Sequence, residues 1–579
     1  MASSDQSTSP RLSLEKETEA KTSSGAVSDA EPVTTEPVTV EEAALSKPEV
    51  KQDEKAEEWL TGIKLWAVIS PLILVFFLVL LDTTIVSTAI PSITNHFNSL
   101  TDIGWYSASY QLASAVLQPL AGKVYVHFSN KWSFISFFAL FEFGSLLCGV
   151  ATSSKMLIVG RAVAGMGTAG LQNGAMTIIS ASVPLHKRPA LLGICQGFAQ
   201  LGLVFGPLIG GALTQYTSWR WCFFINLPAG GLAGAILLFT RIPDAYVKPP
   251  ARDILRDFHN KFDLIGFVLF APFMVMLLLA LQWGGNIYSW QSATEIGLFC
   301  GFAVNAIVWL VWNWWKKDDA LIPVSMVRRT TVWSGSLVVG FLMSSLYIFA
   351  YYLPIYFQSA DGASPTMSGV YMLPNILAAL VLAVLSGKLV GVIGYYTPFS
   401  IASAIFMAIG YGLCGLLSPN SSTGDWIGFQ IVAGIGRGMG MQMPLVAVQN
   451  NLAPAMIPLA ISLCMFTGML FGALFLSASA TIFTNSLRIL IPKYAPTANL
   501  EAIVVAGATG FRRVVTAEEL PGVLLAYAKS VDRVFYLCAA LAALCLPFSF
   551  GLGWTNIKAK AQQKKAATRK PVEKVESEL

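Results

Sequence analysis

The chain is 579 residues long, 54% hydrophobic and only 12% charged, with a mean hydropathy of +0.60. Such a composition excludes an ordinary soluble globular protein and indicates an integral membrane one. The net charge of +5 is small for this length and its basic residues are scattered through short loops, which excludes a nucleic-acid-binding footprint.

Residues 1–62 hold 14 Asp/Glu against 6 Lys/Arg, with much Ser, Thr and Pro, and read as a disordered acidic cytoplasmic tail rather than a signal peptide. A membrane-crossing helix needs roughly 20 apolar residues. Runs of that kind lie near 65–89, 104–125, 133–152, 156–181, 190–214 and 220–241. A polar segment, 242–262, separates them from runs near 263–283 and 294–315. Six more follow near 333–357, 366–390, 397–417, 425–449, 456–484 and 532–555. The expectation is an all-α integral membrane protein of about fourteen spans, with a long outer loop at 485–531 and a Lys-rich cytoplasmic tail at 556–579.

Orientation follows from the loop charges. With the N-terminus in the cytosol, the inner loops collect most Lys and Arg while the short outer loops hold only Lys155 and Arg220, so both termini are expected inside. The 485–531 loop runs against this, with Arg488, Lys493, Arg512, Arg513 and Lys529 outside. A sequon at Asn420-Ser421-Ser422 falls in an outer loop and is the glycosylation candidate.

Two short strings recur in order. LAGKV at 120–124 returns as LSGKL at 385–389, an offset of 265, and GMG at 165–167 returns at 438–440, an offset of 273. Six helices fill about 180 residues here, so that offset means six helices plus an inserted pair, a 6+2+6 plan. The expected divisions are a bundle at 63–241, a linker with two inserted helices at 242–332, and a second bundle at 333–555. Duplicated six-helix halves are a plan of secondary transporters, with the substrate at the midplane between them.

Five motifs carry a family resemblance over nearly the whole membrane region: LDTTIVSTAIP (81–91), GKVYVHFSNKW (122–132), VGRAVAGMGTAGLQNG (159–174), GLVFGPLIGG (202–211) and WRWCFFINLPAG (219–230). Together they resemble the fourteen-spanning drug:proton antiporter branch of the major facilitator superfamily, whose members include fungal toxin and multidrug efflux pumps. Gly202, Gly206 and Gly210 recur every four residues beside Pro207, a bare stripe for close helix packing. The resemblance implies that this stripe, with Gly211, is the antiporter motif. The loop motif keeps Gly122, Lys123 and Lys131 but has Val126, Ser129 and Asn130 where the superfamily expects an Asp, a Gly and a basic residue. The usual charge latch therefore cannot operate, and Lys123 and Lys131 read as cytoplasmic anchors.

Asp82, Glu142, Arg161 and Arg437 lie inside expected spans, where an ionisable residue costs roughly 3 kcal/mol unless paired or hydrated. Asp82 and Arg161 both fall ~8–10 Å below the outer boundary by helical rise, a depth that lets them pair. Two readings of that pair stand side by side: a structural salt bridge, or a proton switch. The resemblance implies the second, with Glu142 a further carboxylate candidate. Arg437 reads equally as packing or function. Cavity candidates are Gln111, Gln118, Gln172, Asn173, Gln196, Gln200, Tyr347, Tyr351, Gln358, Asn375, Gln442 and Gln449, amides and phenols suited to a lipophilic ligand.

The eight cysteines sit in apolar runs without a C-x-x-C, the four histidines are far apart, and no G-x-x-x-x-G-K-[ST] is present. No metal, cofactor, disulfide or ATP motor is expected. The expected function is proton-coupled export of a hydrophobic small molecule by a plasma-membrane monomer, with vacuolar or vesicle membranes as the other location. A siderophore importer of the same fold and a membrane sensor without transport are the alternatives.

Overall fold

The computed structural model describes residues 59–97, 102–285 and 288–559, and there the apolar runs are helices. Among the described residues there is no strand, only an isolated bridge between Gly284 and Tyr288. A first group comprises α1 (Gly62–Phe97), α2 (Ile103–His127), α3 (Asn130–Gly149), α4 (Ser154–Ser182), α5 (Arg188–Tyr216) and α6 (Asn226–Phe239). A hairpin follows, α7 (Leu264–Trp283) and α8 (Ala293–Lys316). The last group is α9 (Thr330–Ser359), α10 (Leu373–Ile393), α11 (Thr397–Cys414), α12 (Thr423–Gly440), α13 (Ile457–Tyr494) and α14 (Leu520–Phe550).

Three of these helices are broken where proline removes a donor. Pro228 leaves the carbonyl of Phe224 without its helical partner, and a separate turn, Trp221–Phe224, precedes α6. Pro374 does the same between Pro365–Val370 and α10, and Pro444 between α12 and its continuation Met443–Asn451.

Twelve helices among the described residues are long and apolar enough to cross a membrane. The two that fall outside that set are α2 and α4, with 25 and 29 residues. Both have the length, and both carry polar side chains, Ser and Gln on α2 and Ser, Thr, Gln and Asn with Arg161 on α4. Their polarity has a structural cause, since their side chains meet other helices rather than an apolar surround.

The repeated strings mark equivalent places. In the first group α1 packs on α5 and α6, α4 on α2 and α3, and α3 on α6. The second group repeats this with α9 on α13 and α14, α12 on α10 and α11, and α11 on α14. The first glycine of each GMG admits the backbone of the helix two before it: a methyl added at Gly165 would lie 2.9 Å from Tyr110 Cα, and one at Gly438 2.9 Å from Ala379 Cα. The second meets the preceding helix, Gly167 at Phe141 and Gly440 at Ser403. One packing solution is thus used twice.

The hairpin is fastened by Asp263. Its backbone is left-handed at φ 49°, a region Asp tolerates. Its Oδ1 accepts from Gly266 N and from Trp312 Nε1 of α8, and its Oδ2 accepts from Leu321 N at 2.7 Å.

The segment 485–531, expected as a long outer loop, holds helical structure. α13 continues to Tyr494, a further helix spans Leu500–Gly510, and α14 begins at Leu520. Leu487, Leu490, Ile491, Val523 and Tyr527 form a small core of their own there. Hydropathy marks where a helix is apolar, not where it ends. The acidic N-terminal tail and most of the C-terminal tail lie outside the described residues.

Candidate functional site

Two helices bring opposite charges to one buried point. Arg161 of α4 donates from Nη1 to Asp82 Oδ2 of α1 at 2.6 Å, and each side chain is only 1% exposed. Arg161 is held on its other sides as well: Nε donates to the carbonyl of Tyr106 at 2.9 Å, and the guanidinium stacks 4.2 Å from the centre of the Tyr110 ring. Tyr110 is in turn fixed by its hydroxyl bond to Thr168 at 2.7 Å.

The second oxygen of Asp82 is not free. Asn226 Nδ2 donates to Asp82 Oδ1 at 3.2 Å and lies 3.1 Å from Ser145 Oγ. Asn226 opens α6 just past the proline-induced break, so the interruption of that helix is what aims its amide at α1. The residue lies inside WRWCFFINLPAG and was passed over because a neutral amide carries no intramembrane charge signal. Replacing Asn226 by Leu should keep the Asp82–Arg161 pair but leave Oδ1 bare, lowering transport several-fold while Asn226→Gln retains part of it. Transport rates at matched surface expression check this.

Glu142 lies on α3 against Gly230 of α6, with neither carboxyl oxygen hydrogen bonded. Three residues on, Ser145 shares its helix face and touches Asn226. The order Glu142, Ser145, Asn226, Asp82 is therefore a polar line through an otherwise apolar wall.

Gly202, Gly206 and Gly210 seat α5 directly on the stretch of α1 that carries Asp82. A methyl added at Gly202 would lie 2.7 Å from Leu81 N and from Phe77 O; one at Gly210 would lie 2.6 Å from Ile85 O; one at Gly206 would run into Thr84 Oγ1. Pro207 sits inside α5 between them. Gly211 points to open space, with nothing within 4 Å.

Two seams join the helix groups, α2 against α13 and α5 against α10. The repeated Gly-Lys string sits in both. A methyl at Gly122 would come 2.9 Å from Ser462 Cβ, and one at Gly387 would come 2.5 Å from Pro189 O. Gly391 meets His186 O, and Gly193 of α5 meets Ala383 O of α10. All these contacts are at the end of the molecule where α1 begins. Along α2, Gln111 is exposed while Gln118, two turns on, is fully buried. Along α9, Tyr351 is 58% exposed and Ser344, two turns back, is 0%.

The remaining cavity candidates divide by their partners. Asn375 donates to Gln430 O, Gln442 to Ala383 O and Ser386 Oγ, and Gln358 to Ser368 Oγ, so these amides tie helices together. Gln118 and Gln449 are buried with both amide atoms unbonded to protein, and so is Asn173 Nδ2. Gln196 and Gln200 are buried, Gln172 is half-buried, and Tyr347 is exposed beside Gly472. Asn420 is exposed in the turn between α11 and α12. All eight cysteines are free, and no metal-holding cluster occurs among the described residues.

The loop that lacks its expected Asp is served instead by the segment after α6. Asp244 Oδ1 accepts from the backbone N–H of Asn130 at 2.7 Å, capping α3 at its positive end. Lys248 Nζ donates to the last carbonyls of α2, Tyr125 O and Val126 O, and to Tyr246 Oη. Lys131 donates to Leu238 O. Lys123 is buried, not merely anchored, and donates to Asp319 O from the segment after α8. Burial pushes the Lys248 ammonium down to about 8, against partial help from Asp244. Between about 8 and the ordinary 10.5 the folded protein therefore binds fewer protons here than the unfolded chain. The resulting penalty is full below pH 8 and is relieved as pH rises. The thermal stability of the parent relative to Lys248→Met should accordingly climb between pH 7.5 and 9.5, measured by melting in detergent.

Two related six-helix groups, joined by glycine seams and holding a buried ion pair in one of them, define a two-bundle membrane transporter. The chain belongs to the Major Facilitator Superfamily, whose model matches residues 72–476. Over 500 residues it is 57% identical to the "MFS-type transporter pigP" of Monascus ruber, covering 86% of this chain and 88% of that one. It is 47% identical to the "Efflux pump mlcE" of Penicillium citrinum, covering 88% and 93%, and 47% to the "Efflux pump mokI" of Monascus pilosus, covering 88% and 95%. Among solved structures, the human organic anion transporter MFSD10 superposes with a TM-score of 0.52 at 11% identity, covering 83% of this chain and 100% of that one. The proton:xylose symporter XylE gives 0.52 at 16%, covering 86% and 98%. These two share the fold.

Proposed function

We propose that this chain is a fourteen-span, proton-coupled exporter of lipophilic small molecules, acting as a monomer in the plasma membrane with both termini in the cytosol. The fourteen spans are the twelve apolar helices together with α2 and α4, whose polarity suits an interior position. The efflux-pump names of relatives that match nearly end to end support export. The glycine seams at the end where α1 begins then lie toward the cytosol.

The buried Asp82–Arg161 pair carries the proton-coupled reading. A carboxylate there is held by a guanidinium and an amide, and a proton arriving on it removes the charge that offsets Arg161. Arg161 is then free to shift its weight to the Tyr106 carbonyl and the Tyr110 ring, which loosens α1 from α4. Because α5 is seated on the same stretch of α1, that loosening reaches the α5–α10 seam. Cellular accumulation of a lipophilic substrate, compared between cells lacking and overexpressing the protein, tests export. Accumulation should fall on overexpression and recover with a protonophore; unchanged accumulation rejects export, and a fall that resists the protonophore rejects proton coupling.

A further inference from the structure

Every cation buried in a helical membrane protein needs an acceptor, and one here has none. Arg437 of α12 is 2% exposed, yet its Nε and Nη2 have no hydrogen-bond partner. On the facing helix α11 stands Tyr411, in the same close seam, where Gly410 meets the Ala433 backbone and Gly436 meets the Met407 backbone. Tyr411 is 0% exposed and its hydroxyl is also unpartnered. Tyr411 sits in the apolar core of the second group, with the Phe349 ring 4.9 Å from its own. The only ion pairs among the described residues are Arg161–Asp82 and Lys529–Asp532, so no carboxylate is supplied.

The repeat sharpens the anomaly. Arg161 lies four residues before the first glycine of its GMG, and Arg437 lies one before the matching glycine. The two arginines are thus within a turn of equivalent places on equivalent helices. In the first bundle α1 brings Asp82; in the second, α9 runs through that region as LYIFAYYLP, without a carboxylate. An isolated buried charge carries a desolvation cost of several kcal/mol. Three unsatisfied donors facing an apolar interior therefore describe the outline of a missing acceptor.

We infer that the second bundle binds a small monovalent anion of halide size between Arg437 and Tyr411, taking the place that Asp82 fills in the first bundle. The two side chains are enclosed, which suits chloride and excludes a bulky transported molecule. The site is separate from the Asp82 centre, so its fate does not depend on proton coupling.

The test is melting of the purified full-length protein at constant ionic strength and pH, exchanging gluconate for chloride, bromide or nitrate. The melting temperature should rise saturably with each small anion and stay flat in gluconate. In Arg437→Gln the saturable rise should vanish. Should that variant fail to fold, Tyr411→Phe keeps the question open to test: removing one donor should weaken the chloride midpoint roughly five- to tenfold. Equal melting in chloride and gluconate, or a rise that survives unchanged in both variants, overturns the site.

Discussion

Replacing Asp82 by Asn is expected to abolish uphill export while leaving a protein that reaches the membrane. The amide keeps the shape of the carboxyl and still accepts from Asn226, but it neither carries charge nor exchanges a proton at working pH. Arg161 is then left buried with only the Tyr106 carbonyl and the Tyr110 ring. Removing one partner of a buried pair costs about 3–5 kcal/mol, so reduced thermal stability is expected along with lost transport. The double variant Asp82→Asn, Arg161→Gln separates the two readings of the pair. It removes the orphaned charge and should recover most of the lost stability. If the pair were only a brace, transport would recover with it. If Asp82 handles the proton, stability returns and uphill transport does not, which substrate efflux from proteoliposomes under an imposed pH gradient would read directly.

Much of this centre was legible from residues alone, because a membrane makes charge conspicuous. Asp82 and Arg161 stood out as ionisable groups at matching depth, and the structure places them 2.6 Å apart. Asn226 did not stand out, since an amide in a helix is ordinary and its aim depends on a break at Pro228. The Gly-Lys and GMG repeats were visible as strings, but only the packing shows that one marks the bundle seams and the other the interior of each bundle. The substitute clamp on the α2–α3 loop could not be read at all. Asn130 and Asp244 are 114 residues apart in sequence, and no periodicity reports a contact of that range. The helix Leu500–Gly510 in the 485–531 segment is apolar but only 11 residues long, too short to register as a span.

The other large effect is expected at the α1–α5 contact, where glycines of one motif should behave oppositely. Gly202→Ala and Gly210→Ala would drive a methyl against α1 backbone, at Leu81 N and Phe77 O in one case and Ile85 O in the other, at 2.6–2.7 Å. Backbone cannot swing aside as a side chain can, so α1 must move away from α5 as a unit. Overpacking of this kind costs about 1–3 kcal/mol, and here the displaced segment is the one that carries Asp82. Gly206→Ala meets Thr84 Oγ1, a side chain that already donates to Gly202 O at 3.2 Å, so rotation of Thr84 would relieve the clash at the expense of that bond. A graded result follows: Gly202→Ala and Gly210→Ala lose nearly all export, Gly206→Ala loses part, and Gly211→Ala is unaffected because nothing lies within 4 Å of its added methyl. Pairing Gly206→Ala with Thr84→Ser would remove the β-methyl beside the clash and should restore some activity, whereas Thr84→Ser should do nothing for Gly202→Ala. Export rates normalised to surface expression across these variants would check the order. Loss of function at Gly211 equal to that at Gly202 would mean that the motif acts through something other than the fit of α5 on the Asp82 stretch.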